Sequence, residues 1–167
     1  LFRSDSASVV YGEAMLTMQG PRQKAGIVGE AFRLLRPGGR YGIHELCLIP
    51  EDLDEHTKLE VQRQLSESIH VGARPLTARE WRALLETEGF EVRQESLAPM
   101  HLLEPARLLR DEGLFGAGRF IWNVLWDGDA RERVMAMRKI FRKYKAHLAA
   151  IMLVAVKPPR QVGRPEE

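Results

Sequence analysis

Short apolar runs alternate with helical stretches along this chain, and that alternation predicts its fold. Ser8–Gly12 is brief, apolar and rich in β-branched residues, as a buried strand is. Glu13–Gln19 reads as a loop. Pro21 then sits where a missing N–H costs a helix little, and Ile27, Ala31, Leu34 and Leu35 recur at helical spacing. Pro37-Gly38-Gly39 is expected to stop that helix in a tight reversal. Arg40–Ile49 reads as a second strand, closed by Pro50. Glu51–Ile69 is a mostly polar helical stretch. Glu51, Asp52, Asp54 and Glu55 crowd its start, where acids favour a helix N-terminus. His70–Pro75 is a linker.

Thr77 and Glu80 have the spacing of a capping box, and Trp81, Leu84 and Leu85 follow on one helical face. Gly89 closes this helix. Phe90–Leu97 predicts a third strand, although Leu97 falls out of phase with Phe90 and Val92. Glu104–Trp126 contains helical turns separated by Gly113, Gly116 and Gly118. Asp129 caps a long helix through about Leu148, striped by Val134, Met137, Phe141, Tyr144 and Leu148. Ala149–Val156 is the last strand, and Arg160–Glu167 is a polar tail expected to be disordered. Strands that alternate with helices argue for an α/β fold with a largely parallel sheet. Right-handed crossovers gather the C-terminal ends of such strands on one edge, where ligands bind.

Composition narrows this picture only a little. The 167 residues suit one domain, and 44% hydrophobic with 29% charged residues is ordinary for a globular chain. A net charge of +2 makes no global demand for nucleic acid or membrane. Cys47 is the only cysteine, which excludes an internal disulfide and a cysteine-based zinc site. Its apolar neighbours place it in a buried strand. No apolar run is long enough to span a bilayer and no signal peptide opens the chain, so the cytoplasm is the expected compartment. The chain opens on Leu1, and its first methionine, Met15, is already inside a hydrophobic segment. A fragment, or removal of upstream residues, is the expectation.

Three stretches resemble the class I S-adenosylmethionine (SAM) dependent methyltransferases, in the group that includes quinone- and sterol-methylating enzymes. Leu1-Phe2 through Ser8-Val9-Val10-Tyr11-Gly12-Glu13 is similar to the end of that family's third-strand loop running into its fourth strand. Ala31-Phe32-Arg33-Leu34-Leu35-Arg36-Pro37-Gly38-Gly39-Arg40 is similar to its helix–PGG–strand passage. Leu76-Thr77-Ala78-Arg79-Glu80-Trp81 through Gly89-Phe90-Glu91-Val92 resembles its penultimate helix and strand, and the strand ending Val156-Lys157-Pro158 its last. Ala7 and Ser8 depart from the aromatic and Asp that members often carry there. The family's Gly-rich cofactor loop and the acid ending its second strand find no counterpart. Gly38-Gly39 follows a helix, not a strand, so it is a turn rather than a cofactor cradle.

The resemblance implies a C-terminal half of a Rossmann-like methyltransferase sheet. It would be mostly parallel, with the last strand antiparallel and inserted between the second and third, and with a helical insertion over about residues 101–148. The partial domain would occupy residues 1–158, and 159–167 would be tail. It also implies that Gly12 and Glu13 line the methionine end of SAM. His44 could take a proton from a substrate hydroxyl or be a core histidine, and His70, in the linker over the same edge, leaves the same choice. Glu45 is a candidate substrate contact beside His44. Trp122 and Trp126 share a helical face and either roof an apolar substrate site or pack in the core. His44, Glu45 and His70 have no metal-ligand spacing, so no metal is expected. Arg131, Arg133, Arg138, Lys139, Arg142, Lys143 and Lys145 read as a solvated basic face rather than a nucleic-acid or lipid surface.

The function so implied is methyl transfer from SAM to a small apolar or phenolic molecule, the chain being the substrate-side half and inactive alone. The alternative is a truncated methyltransferase-like module without catalysis, serving dimerisation or partner binding. In either case the 8–12 strand should offer an unpaired edge to a missing N-terminal half or to a second copy.

Overall fold

The computed structural model describes residues 2–100 and 128–159. Within them, strands β1 (Ala7–Glu13), β2 (Leu35–Leu48), β3 (Leu76–Thr77), β4 (Glu91–Pro99) and β5 (Leu148–Val156) form one mixed sheet. Helices α1 (Pro21–Leu34), α2 (Glu55–Ile69), α3 (Ala78–Thr87) and α4 (Gly128–Lys143) pack on it. The main path runs β1-β2-β5-β4, with β3 paired to β2 off that path. β1 and β3 run parallel to β2, and β5 is antiparallel to both β2 and β4. The last strand is therefore inserted between the second and third long strands, as the resemblance implies.

Alternation along β2 divides the molecule into two faces. Tyr41, Ile43, Glu45 and Cys47 are buried on one side, with Ile151, Leu153 and Ala155 of β5 beside them. α1 and α3 close this core through Val28, Ala31, Trp81 and Leu85. Trp81 is fully buried, and its indole N–H donates to Leu46 O at 3.0 Å. Cys47 lies in the same core, where burial pushes its thiol up to about 12. A second core sits on the opposite face, at the C-terminal end of β2, where Val61 and Leu65 of α2, Phe141 of α4 and Tyr144 just after it pack around Leu48 and Leu148.

Several boundaries differ from the sequence expectation, each for a local reason. α1 ends at Leu34, before Pro37-Gly38-Gly39, because Leu35 is already extended and pairs with Ala7. The next pair is Val9 with Arg40, so Pro37-Gly38-Gly39 bulges out of β2 instead of ending the helix. Gly38 carries a φ of +77° there, a conformation that favours glycine. α2 begins at Glu55, capped by Asp54, whose side chain accepts the Thr57 N–H at 2.9 Å. Glu51 belongs to α3 instead: its carboxylate accepts the Arg79 N–H at 3.0 Å. Thr77 and Glu80 do form the expected capping box. The phase slip at Leu97 is a bulge, since Val92 faces Ala155 but Gln94 already faces Val154. The extra residue returns Leu97 to the face of Val92. α4 stops at Lys143, so Leu148 of the predicted helical stripe opens β5.

Lys157 clips the end of β5 to α1. Its ammonium donates to Phe32 O at 2.9 Å, Leu35 O at 2.7 Å and Asp5 Oδ1 at 2.7 Å, at the junction of α1 and β2, where a cation suits the helix C-terminus. Removing the indole that joins both α1 and α3 to β2 tests the core. Trp81→Ala is expected to lower the unfolding free energy by about 3–5 kcal/mol in denaturant titration.

Candidate active site

Parallel pairing of β1 with β2 sets Glu13 opposite His44 and Gly12 opposite Ile43. Paired residues point the same way, so Glu13 and His44 share the face away from α1 and α3. Glu13 Oε1 lies 3.4 Å from His44 Nδ1, with both side chains largely exposed. Glu13, Gly12 and His44 border an open cavity of about 470 Å³, together with Tyr11, Met152 and Val154. Its lining is mainly apolar, with a carboxylate–imidazole pair at one side. Imidazoles exchange protons near neutral pH, and a neighbouring carboxylate orients the ring.

The chain turns sharply after Glu13. Ala14 has a φ of +51° and donates its N–H to His44 O at 2.8 Å. The next three amides point at one carboxylate. Met15 N and Leu16 N donate to Glu45 Oε1 at 3.0 and 2.8 Å, and Thr17 N donates to Oε2 at 3.0 Å. The Thr17 hydroxyl adds a bond to Oε2 at 2.7 Å. Glu45 is buried, and four donors offset much of the cost of desolvating its charge. The loop is held from the other side too, because Arg74 N donates to Thr17 O at 2.7 Å. Lys24 Nζ donates to Arg74 O and stands 5.0 Å over the Trp81 ring. Burial pulls the Lys24 amine down to about 8, against the opposing pull of Glu45.

The structure thus brings Gly12, Glu13 and His44 together and separates the other candidates from them. Glu45 is adjacent to His44 in sequence but on the opposite face, where its carboxylate serves the 15–17 loop rather than the cavity. The signal was present in the alternation Tyr41, Ile43, Glu45, Cys47, which puts Glu45 in the buried phase. His70 caps the C-terminus of α2 with a φ of +55°, is exposed, and does not line this cavity. Trp122 and Trp126 lie outside the described residues. Thr17 and Lys24 carried no sequence signal that distinguished them from ordinary loop and helix positions. Among the described residues, no three His, Cys, Asp or Glu side chains stand together as a metal site would require, and no helix is long and apolar enough to cross a membrane.

The chain superposes on the 4+2 cyclase SpnF with a TM-score of 0.62 and 16% identity, over 95% of this chain and 52% of that one. It superposes on the phosphoethanolamine N-methyltransferase 2 of Haemonchus contortus, solved with S-adenosyl-L-methionine, with a TM-score of 0.63 and 16% identity. There it covers 95% of this chain and 35% of the other. A geranyl diphosphate methyltransferase solved with SAM gives a TM-score of 0.58 at 13% identity, over 93% of this chain and 53% of that enzyme. This is the class I SAM-dependent methyltransferase fold. No family model matches the sequence. An uncharacterised protein of Haemophilus influenzae is 33% identical over 152 residues, 90% of this chain. The chain spans 58% of the length of that relative, and about half of SpnF. In the methyltransferase fold found here, Glu13 ends β1 and its partner His44 lies in the C-terminal half of the parallel strand β2, on the side of the sheet toward which α/β folds take ligands. Because SpnF is a cyclase, the fold by itself does not fix the reaction.

Two outcomes follow from the buried charges. Glu45→Ala leaves the amides of Met15, Leu16 and Thr17 without their acceptor. It is expected to cost about 3 kcal/mol or more of stability and to speed hydrogen exchange at those amides first. For Lys24, the folded value near 8 lies below the ordinary 10.5. Below about pH 8 the amine is charged in both states and the burial penalty is fully present. Between about 8 and 10.5 the unfolded chain binds the extra proton, so stability rises with pH through that window. Unfolding free energies compared with Lys24→Met should swing toward the wild type by roughly 1–3 kcal/mol across it.

Proposed function

We propose that this chain is the C-terminal, substrate-side half of an enzyme that transfers a methyl group from SAM to a small apolar or phenolic molecule. The observation that carries the reading is the Glu13–His44 pair, at the strand-end edge of a methyltransferase fold and beside an apolar cavity. Bound SAM would supply an electrophilic methyl group on a sulfonium. Gly12 and Glu13 would hold its methionine end, where the chain reverses at Ala14. That is only part of a cofactor site: among the described residues no Gly-rich turn follows a strand, and the groups for adenine and ribose would have to be supplied in addition. On this reading His44 takes the proton of the acceptor hydroxyl as the oxygen becomes nucleophilic, and Glu13 orients the imidazole and stabilises its charge. The Met152 and Val154 side of the cavity suits an apolar acceptor body.

A second reading is a module without catalysis that serves dimerisation or partner binding. It is favoured by β1, which has β2 as its one strand neighbour among the described residues and leaves Tyr11 79% exposed. The two readings separate in a chimera: the H. influenzae relative with its matched stretch replaced by this chain. The isolated chain should show no saturable SAM binding at micromolar concentrations by calorimetric titration, and micromolar affinity would overturn the half-site reading. The chimera should bind SAM and transfer tritiated methyl to a panel of phenols and quinols. His44→Ala should lower its kcat about 10²–10⁴-fold with its melting temperature unchanged. An unchanged rate removes His44 as the base, and a chimera that binds SAM but methylates nothing favours the second reading.

A further inference from the structure

Two cavities adjoin on the β4 side of the sheet. The first is the open cavity beside Glu13 and His44. The second, of about 260 Å³, lies where β4 ends and β5 begins, between Leu97, Pro99, Met100 and Leu148, with Lys145 on its border. Ala98 lines both. Cross-strand register explains the passage between them. His44 faces Met152, which faces Ser96. Two residues on, Leu46 faces Ala150, which faces Ala98. After two more, Leu48 faces Leu148. Residues two apart on a strand share a face, so these rows lie side by side. Leu46 and Leu48 are packed into the core under α2 and α4. The middle row therefore places only the methyl groups of Ala150 and Ala98 between the cavities. Met152, which borders the passage, is 46% exposed although β5 is a central strand.

The two ends differ in chemistry. One carries the Glu13–His44 pair. At the other the exposed Lys145 ammonium has no ion-pair or hydrogen-bond partner among the described residues, and Arg142 and Lys143 come just before it. What lies between is apolar. Two strand spacings across the sheet and the four residues from Ser96 to Met100 along it put the ends roughly 16 Å apart. The geometry points to an elongated acceptor: a hydroxyl-bearing ring at His44, an aliphatic chain over Ala150 and Ala98, and a carboxylate at Lys145. The role of the ring hydroxyl rests on the methyl-transfer reading. The inference narrows the acceptor from any small apolar or phenolic molecule to an acid of defined length. Charge also fixes its direction, because an acid placed at the other end would meet the Glu13 carboxylate, whereas at Lys145 it meets a cation.

Two probes titrated into this chain by NMR decide it: para-hydroxyphenylacetate and ω-(para-hydroxyphenyl)octanoate. The octanoate, whose hydroxyl and carboxylate can reach both ends, should bind at least about tenfold more tightly, because its methylenes leave water over the alanines. It should shift the methyl signals of Ala98, Ala150 and Leu148. Ala98→Phe lies at an exposed position of β4, so the fold tolerates it. It should abolish the octanoate's advantage and leave acetate binding within about twofold. Lys145→Ala should weaken the octanoate about threefold and leave the matching octanamide unchanged. Equal affinity for the two acids, no binding of either, or an octanoate indifferent to Ala98→Phe overturns the proposal. The chimera separates this from the catalytic reading. An octanoate that binds this chain as expected but is not methylated by the chimera leaves the channel standing and removes the catalytic role. Methylation of short and long phenols with equal kcat/KM keeps the catalytic role and overturns the channel.

Discussion

The arrangement at the strand ends depends on one buried carboxylate. Glu45 gathers three consecutive amides and a hydroxyl from the segment that follows β1. Without it, residues 15–17 would present a row of donors to an apolar interior, which is costly wherever water is excluded. With it, the chain turns at Ala14 in one defined way, and Glu13 is kept at the register position beside His44. The same loop binds Arg74 through Thr17, and Arg74 binds Lys24 on α1. One charge in the core thus coordinates β1, β2, the start of α1 and the linker after α2.

Two opposite burdens meet in that core. The Glu45 carboxylate is satisfied by four close donors, whereas Lys24 has one carbonyl and an aromatic face, and burial makes its amine easier to neutralise. The pair lies on the face opposite the cavity, although His44 and Glu45 are neighbours in sequence. Strand alternation turns these two side chains to opposite sides, so that one stabilises the turn while the other reaches the solvent-facing cavity. The exposed Glu13–His44 pair therefore carries little of the folding energy.

The uneven covering of the sheet ties fold to function. A methyltransferase fold normally places chemistry at the strand ends and packs helices over both faces. Here the strand ends are formed and one face is finished, while the other exposes Tyr11 and Met152. The Glu13–His44 edge and the open face adjoin each other through Tyr11.

The sequence alone determined the order of the elements and most of their extents. Period-two and helical spacings report burial directly, and the capping box at Thr77 and Glu80 is purely local chemistry. Strand adjacency, with β5 between β2 and β4, came from resemblance rather than periodicity, because pairing is a long-range choice that no local pattern encodes. Tertiary structure decided the rest. It turned Pro37-Gly38-Gly39 from a helix stop into a bulge, since β1 pairs on both sides of it. It restored the phase of Leu97 through a bulge that hydrophobicity could not locate. It assigned Glu45 to the interior, although the buried phase of β2 had already hinted at this, and it brought Glu13 within reach of His44 across 31 residues of chain. These outcomes depend on which backbone groups find partners across the sheet, and that is fixed only when the strands meet.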